Sequence, residues 1–227
     1  MLTPWIPSID WDTEAGKVLQ TLLRALPTDR DFHITLFGSS PLQLGIERTF
    51  VSGDVDLFAD ETHAEIEAAI TRAGLADKER GVYVQLCVEG NFRTSPRWRA
   101  RAFNVQIGNV RLTLPHPIDI LIAKLHRCDE KDLRAYRLVV ERTGHPTEDE
   151  MREELQFSVD LYRPNFDEEM VGDITTNTRV LWQELWKKDI DVRREIIAPA
   201  LARRRAGYEL DVPARDYKAD LRQLGES

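Results

Sequence analysis

Apolar residues change their spacing along the chain between the period of a helix and that of a strand. Two N-terminal stretches repeat every three or four positions, which predicts helices that end at Pro27 and at Gly74. Between and after them, alternating or continuous apolar runs predict short strands. These strands are 32–37, 54–58, 82–88, and a hairpin of 102–107 and 110–114 that turns at Gly108-Asn109. The stretch 41–53 is predicted to be a loop or a short helix.

The pattern becomes helical from Pro117 onward. Helices are predicted to start at Pro117, a residue that suits a first helical turn, and at about Glu130. Two more are predicted for 148–162 and 174–205, the second with an interruption near Pro199. The polar end of the chain is predicted to be a loosely packed tail.

The order of these elements predicts an α+β fold, with a mixed sheet flanked by helices and a C-terminal helical region. We expect residues 1–145 to form the core and residues 146–227 to form the helical region. A chain of 227 residues fits one large domain, or one domain with a helical appendage. Its hydrophobic fraction of 42% is enough to build a buried core.

Charge is unevenly distributed along the chain. The net charge of −8 argues against a general affinity for nucleic acid. Residues 91–101 nevertheless contain four arginines and no acid, with Phe92 and Trp98 between them, whereas residues 148–173 hold ten acids and two arginines. The arginine-rich loop could grip an RNA acceptor through phosphate contacts and base stacking, or it could pair with the acidic region.

The sequence gives no sign of export or of a membrane anchor. No apolar run approaches the length of a membrane span, and the N-terminus lacks the basic and apolar regions of a signal peptide. Cys87 and Cys128 are far apart and have no metal-binding spacing, so we expect reduced thiols. A cytoplasmic protein without membrane partners is the resulting expectation.

Asp54 and Asp56 are the most informative residues of the chain. They belong to a predicted strand, so both carboxylates would point to one face with their Cα atoms about 6.6 Å apart. Two carboxylates at that spacing can hold a divalent cation such as Mg²⁺. The alternative is an ordinary half-buried strand with two aspartates on its polar face, but adjacent like charges are unfavourable without a counter-ion.

A Gly-Ser turn, Gly38-Ser39-Ser40, precedes this pair by a short loop. Backbone N–H groups and hydroxyls in such a turn are the groups that hold a triphosphate. Ser39 could equally be an ordinary turn residue or helix cap.

The turn, the loop and the Asp-x-Asp strand together resemble the signature of the DNA polymerase β-type nucleotidyltransferase superfamily. Downstream, a helix carrying Lys124 is followed by a basic residue, Asp132 and a further helix. That segment is similar to the nucleotidyltransferase toxins of bacterial type IV toxin–antitoxin and abortive-infection systems. Together the matching segments cover about residues 30–142.

The resemblance implies a nucleotidyltransferase-like sheet and a role for each matching residue. By that resemblance, the triphosphate would be bound by Gly38, Ser39, Ser40 and Lys131. Mg²⁺ would be held by Asp54 and Asp56. Lys124 would neutralise phosphate charge, and Asp132 would be the distal acid of the site.

The implied activity transfers a nucleoside monophosphate from an NTP and releases pyrophosphate. In the toxin-like arrangement the acceptor is the 3′ end of tRNA or a hydroxyl of a cognate antitoxin, and a partner protein would restrain the enzyme. Two other classes stay open: an enzyme that modifies a small molecule such as an antibiotic, and a non-catalytic member that binds a partner.

One departure from the resemblance concerns a third carboxylate, which many such enzymes use as a base. The predicted hairpin 102–114 contains none, and Glu89 is the nearby candidate on the sheet. Either Asp132 takes this role, as in the toxin-type pattern, or the protein binds nucleotide without turning it over. Two helix-based alternatives also stand. Lys124 could extend its stem to the surface, and Asp129 and Asp132 could be the N-cap and N3 residues of a helix.

Overall fold

Five strands form one mixed sheet, and helices flank it, as the predicted α+β class requires. This is seen in a computed structural model, which describes residues 2, 4–50, 52–59, 62–163 and 173–206. The predicted C-terminal tail lies outside these residues.

The strands agree closely with the apolar pattern. They are β1 (Phe32–Phe37), β2 (Asp54–Ala59), β3 (Tyr83–Cys87), β4 (Phe103–Ile107) and β5 (Val110–Leu114). The order across the sheet is β3-β2-β1-β5-β4. β2 is antiparallel to β1 and parallel to β3, while β5 is parallel to β1 and antiparallel to β4. β2 therefore has a paired strand on each side.

Nine α-helices are present in the described part of the chain. They are α1 (Glu14–Ala25), α2 (Ser40–Gly45), α3 (His63–Arg72), α4 (Trp98–Arg101), α5 (Pro117–Lys124), α6 (Glu130–Thr143), α7 (Glu148–Phe157), α8 (Ile174–Trp186) and α9 (Ala198–Arg205). The stretch predicted to be a short helix or a loop contains α2.

The interruption predicted near Pro199 lies elsewhere. α8 ends at Trp186, and Lys187 adopts a left-handed conformation with φ of 53°. A π-helical turn, Arg193–Ile197, then leads directly into α9. Pro199 lies in the first turn of α9, where a missing backbone N–H is tolerated.

One face of the sheet is covered by an aliphatic core, whereas the other face carries polar and aromatic side chains. Ile34, Leu36, Val55, Leu57 and Leu112 are fully buried, in a cluster with residues of α1 and α3. Because side chains alternate along a strand, Asp54 and Asp56 lie on the other face. We call this second face the aspartate face.

A second apolar cluster joins α5 and α6 to the C-terminal helices. Its fully buried members include Leu121 of α5, Tyr136 of α6, Met151 of α7 and Trp182 of α8. The helices on both sides of residue 145 therefore share one core. Leu42 of α2 belongs to the same core and joins α5 and α6 to the segment that follows β1.

No helix among the described residues is long and apolar enough to cross a membrane.

Candidate active site

Asp54 and Asp56 lie on the aspartate face of β2, one strand in from the β3 edge of the sheet. Asp56 is the register partner of Phe37 at the end of β1 and of Gln85 on β3. Both aspartates are half-buried. Their position next to the end of β1 brings them to the turn that follows it.

Gly38 begins that turn, and its backbone is in direct contact with Asp56. Gly38 has a positive φ of 67°, which favours glycine. A Cβ atom added to Gly38 would lie 2.1 Å from Oδ2 of Asp56. The carboxylate therefore occupies the space that any other residue's side chain would need.

The two serines of the turn play different parts. Ser39 is the N-cap residue of α2, and its Oγ accepts a hydrogen bond of 3.0 Å from Nζ of Lys124. Ser40 is fully buried, and its hydroxyl donates to the carbonyl oxygen of Phe37 at 3.3 Å. Ser40 thus stabilises the turn from inside, whereas Ser39 connects it to α5.

Lys124 is held between this turn and a buried acid. Its Nζ lies 2.9 Å from Oδ1 of Asp132, and Asp132 is completely buried. Arg127 also donates to Asp132, from Nε to Oδ2 at 3.0 Å. Lys124 therefore does not extend to the surface, and only 7% of its side chain is exposed.

The pKa values of this pair follow from burial and charge. Burial acts to raise the pKa of Asp132, but hydrogen bonds from Arg127 and the charge of Lys124 lower it below its usual value. Burial lowers the pKa of Lys124, although Asp132 opposes this effect. We take both groups to be charged at neutral pH, because each compensates the other at hydrogen-bond distance.

Asp132 also caps α6, as the alternative interpretation predicts. The Asp129 carboxylate accepts from the N–H of Asp132 at 2.9 Å, and the Asp132 carboxylate accepts from the N–H of Asp129 at 3.3 Å. This reciprocal pair is a capping box. The structural role and the contact with Lys124 therefore coexist in one side chain.

The aspartate pair has basic residues nearby but no direct ion pair among the described residues. Burial, together with the neighbouring charge of Asp54, raises the pKa of Asp56 to about 6. Lys124, Lys131 and Arg127 lie near enough for their charges to act in the opposite direction. Within the described ranges the Asp56 carboxylate forms no hydrogen bond or ion pair, and neither does the Lys131 ammonium group.

Two carboxylates suit Mg²⁺ better than a metal whose ligands must all come from the protein. No three His, Cys, Asp or Glu side chains in the described parts of the chain form a metal-binding group. Mg²⁺ commonly binds through one or two carboxylates and completes its shell with water and substrate phosphates. Asp54 and Asp56 could supply the two carboxylates.

Gln85 lies next to the aspartate pair, and the sequence alone did not identify it as a site residue. It is exposed on β3, in register with Asp56. Glu89, the expected sheet carboxylate, instead pairs with Arg99 at 2.5 Å. The alternation of 82–88 places Gln85 on the polar face, but only the strand order shows that it lies beside Asp56. The strand register thus places the side-chain amide of Gln85, and not a third carboxylate, next to Asp56.

Three of the four arginines in the arginine-rich loop, Arg97, Arg99 and Arg101, pair with acids. Arg97 and Arg101 both contact the buried carboxylate of Glu154 on α7, which belongs to the acidic region. Phe92 and Trp98 are only 5% and 6% exposed, in an aromatic cluster with Phe37 and Phe58. Their ring faces are therefore not available for stacking on RNA bases.

Compared with protein-family models, with curated proteins and with solved structures, the chain has no significant match. The chemistry of the site is therefore the guide to function.

Proposed function

We propose that the protein is a Mg²⁺-dependent nucleotidyltransferase that moves a nucleoside monophosphate from an NTP to a macromolecular acceptor. The observation that carries the proposal is the contact between the turn and the acid pair. Asp56 lies against Gly38, while Lys124 reaches the same turn through Ser39. A phosphate-binding turn, a cation-binding pair and a buried lysine within one small region are the parts that this chemistry needs.

Each group has a role that its position suggests. The N–H groups of the turn at Gly38 and Ser39 would bind phosphate oxygens, and Nζ of Lys124 would neutralise their charge. Asp54 and Asp56 would hold Mg²⁺. When bound, the metal supplies charge neutralisation on the phosphates and on the departing pyrophosphate.

The transfer forms one bond to the α-phosphorus and breaks another, and pyrophosphate is the leaving group. The acceptor hydroxyl oxygen forms a bond to the α-phosphorus, and the bond from that phosphorus to the bridging β-phosphate oxygen breaks. The hydroxyl proton passes to bulk water or to the departing pyrophosphate. Asp132 is a poor base because Lys124 and Arg127 hold its carboxylate, so we assign it the role of positioning Lys124.

A macromolecular acceptor is favoured by the open surface next to the pair. Gln85 on the edge strand β3 is exposed beside Asp56, so the pair lies one strand from the rim of the sheet. A hydroxyl on a large acceptor could approach across this surface. We propose that the acceptor is the 3′ end of tRNA or a hydroxyl of an antitoxin, within a cytoplasmic toxin–antitoxin or phage-defence system.

The test is transfer from each of the four α-labelled NTPs in the presence of Mg²⁺. Parallel reactions contain total tRNA, an aminoglycoside mixture, or the protein encoded next to this chain. Label on tRNA or on that protein supports the proposal, and label only on the aminoglycosides supports the small-molecule enzyme instead. No labelled product in any reaction, together with no Mg²⁺-dependent nucleotide binding, would refute the proposal.

A further inference from the structure

An apolar groove of about 610 Å³ lies at the edge of the sheet, between β4, α1 and the N-terminal segment. We call it the edge groove. Its apolar lining residues are Pro7, Ile9, Trp11, Leu23, Phe103, Val105 and Ile107. The groove opens on the face of the sheet opposite to Asp54 and Asp56, so it belongs to a surface that the proposed catalysis does not use.

The groove exists because the helices on this face cover β5 but not the whole of the edge strand β4. Leu112 and Leu114 of β5 are completely buried beneath these helices. Phe103, Val105 and Ile107 of β4 pack against the same cluster but remain only partly buried. α1 forms one wall of the groove and leaves the apolar side of β4 open. An uncovered apolar strip along an edge strand is typical of an interaction surface.

An exposed apolar side chain directly precedes the lining of the edge groove in the sequence. Ile6 is 77% exposed, more than any other large hydrophobic residue among those described, and it precedes Pro7 of the lining. An exposed apolar side chain and a nearby apolar groove can fit each other across a two-fold axis, with the side chain of each copy in the groove of the other.

One charged residue of each sign, without an ion pair among the described residues, lies in the lining of the groove or next to it in the sequence. Arg24 lines the groove, is exposed, and donates only to Gln20. Asp12 follows the lining residue Trp11 and is also exposed. Among the described residues, neither Arg24 nor Asp12 forms an ion pair. A second copy of the same surface would offer an acid to the arginine and an arginine to the acid.

We propose that the edge groove is the interface of a two-fold symmetric homodimer of this chain. Ile6 of each copy packs into the groove of the other, and Arg24 of each copy lies opposite Asp12 of the partner. Burial of β4 removes an exposed sheet edge, while the aspartate face of each copy stays accessible. The inference is independent of the proposed transferase activity.

The test is the molar mass of the full-length protein in solution, measured by light scattering and sedimentation over a range of concentrations. We expect a concentration-dependent dimer. Ile6→Glu and Val105→Glu should both shift it to monomer, since each places a charge in the apolar contact. Ile6 is so exposed that its substitution should leave the fold intact, which circular dichroism will verify. Asn104→Glu, on the opposite face of β4, is the matched control and should leave the dimer unchanged.

Charge exchange tests the orientation of the two copies. Arg24→Glu or Asp12→Arg alone should weaken the dimer by roughly tenfold, because each ion pair occurs twice in a two-fold interface. The double variant should recover the wild-type dissociation constant. A wild type that is monomeric at every soluble concentration would overturn the proposal and leave the groove to another partner. A dimer that persists in both Ile6→Glu and Val105→Glu would overturn it as well.

Discussion

Asp56 and Gly38 are in contact across two antiparallel strands, with the Asp56 carboxylate covering the face of Gly38 that a side chain would occupy. A Cβ atom at position 38 would lie 2.1 Å from Oδ2 of Asp56. The left-handed φ of Gly38 turns the chain at this point, directly after β1. A proposed cation ligand and a proposed phosphate-binding turn are thereby fixed relative to each other before any ligand arrives.

Substitution of Gly38 should therefore damage the site more than the fold. Gly38→Ala should displace the Asp56 carboxylate and abolish Mg²⁺-dependent nucleotide binding. The strain of a left-handed alanine should cost about 1 kcal/mol in the free energy of unfolding. Urea unfolding and nucleotide titration measure the two effects separately.

Gly53→Ala is the matched control for that experiment. Gly53 immediately precedes Asp54, yet a Cβ atom added there would meet nothing within 4 Å. We expect unchanged nucleotide binding. If both alanine variants bind nucleotide like the wild type, the contact between Gly38 and Asp56 does not contribute to nucleotide binding.

Removing one charge of the acid pair should remove activity. Asp56→Asn keeps the size of the side chain but loses half of the charge available to a cation, so transfer should fall by on the order of 10²-fold or more. Glu89→Gln serves as the control, because Glu89 pairs with Arg99. Equal losses in the two variants would favour Glu89 as a functional carboxylate after all.

The alkylation rate of Cys87 should report on cation binding at the aspartate pair. Burial, together with the charges of Asp56 and Asp54, raises the pKa of the Cys87 thiol to about 11. A divalent cation bound to the pair would neutralise those charges and lower this pKa. Because the thiolate is the reactive form, Mg²⁺ or Mn²⁺ should accelerate alkylation of Cys87 severalfold at pH 8 to 9.

Cys128 provides the internal control, since the chain has only these two cysteines. Burial and the charge of Asp132, not of the aspartate pair, raise the pKa of the Cys128 thiol to about 11. Mass spectrometry should show faster alkylation at Cys87 alone. Acceleration at both cysteines would indicate a general conformational effect, and acceleration at neither would argue against cation binding at the pair.

Asp132 should contribute to stability in a pH-dependent way. Its pKa is lowered in the folded protein by Arg127 and Lys124, against the effect of burial. The unfolded state then binds more protons below the usual carboxyl pKa of about 3.9, so the contribution is complete above that pH. It is lost as the pH falls through the lower pKa of the folded state.

Asp132→Asn tests this contribution directly. At pH 7 the substitution leaves Lys124 buried without its counter-ion, and the free energy of unfolding should fall by about 3–5 kcal/mol. The difference from the wild type should shrink as the pH drops toward 3 in urea unfolding. A difference that is small at pH 7, or constant with pH, would contradict the assigned ion pair.

The local sequence pattern predicted the strands because one side of each strand faces the apolar core and the other side does not. The alternation around Val55 and Leu57 is visible in the sequence, and so is the orientation of Asp54 and Asp56 that follows from it. The capping box of Asp129 and Asp132 is equally local, and it too was readable from residue type and spacing.

Contacts between distant segments were beyond the reach of that pattern. Lys124 and Ser39 meet across 85 residues, and their contact depends on how α5 packs against the sheet. The placement of Gln85 beside Asp56 depends on strand order, which hydrophobic periodicity does not encode. The pairing of Arg97 with Glu154 was one of two open alternatives, because charge counts cannot say which segments fold together.

Binding of an NTP to the wild type and to Asp56→Asn, each with and without Mg²⁺, tests the central claim most directly. Calorimetric titration with a non-hydrolysable NTP analogue gives the four dissociation constants. We predict that Mg²⁺ tightens binding to the wild type at least tenfold and leaves binding to Asp56→Asn unchanged. Equal affinities in all four titrations would contradict a cation bridge between the aspartate pair and a bound triphosphate.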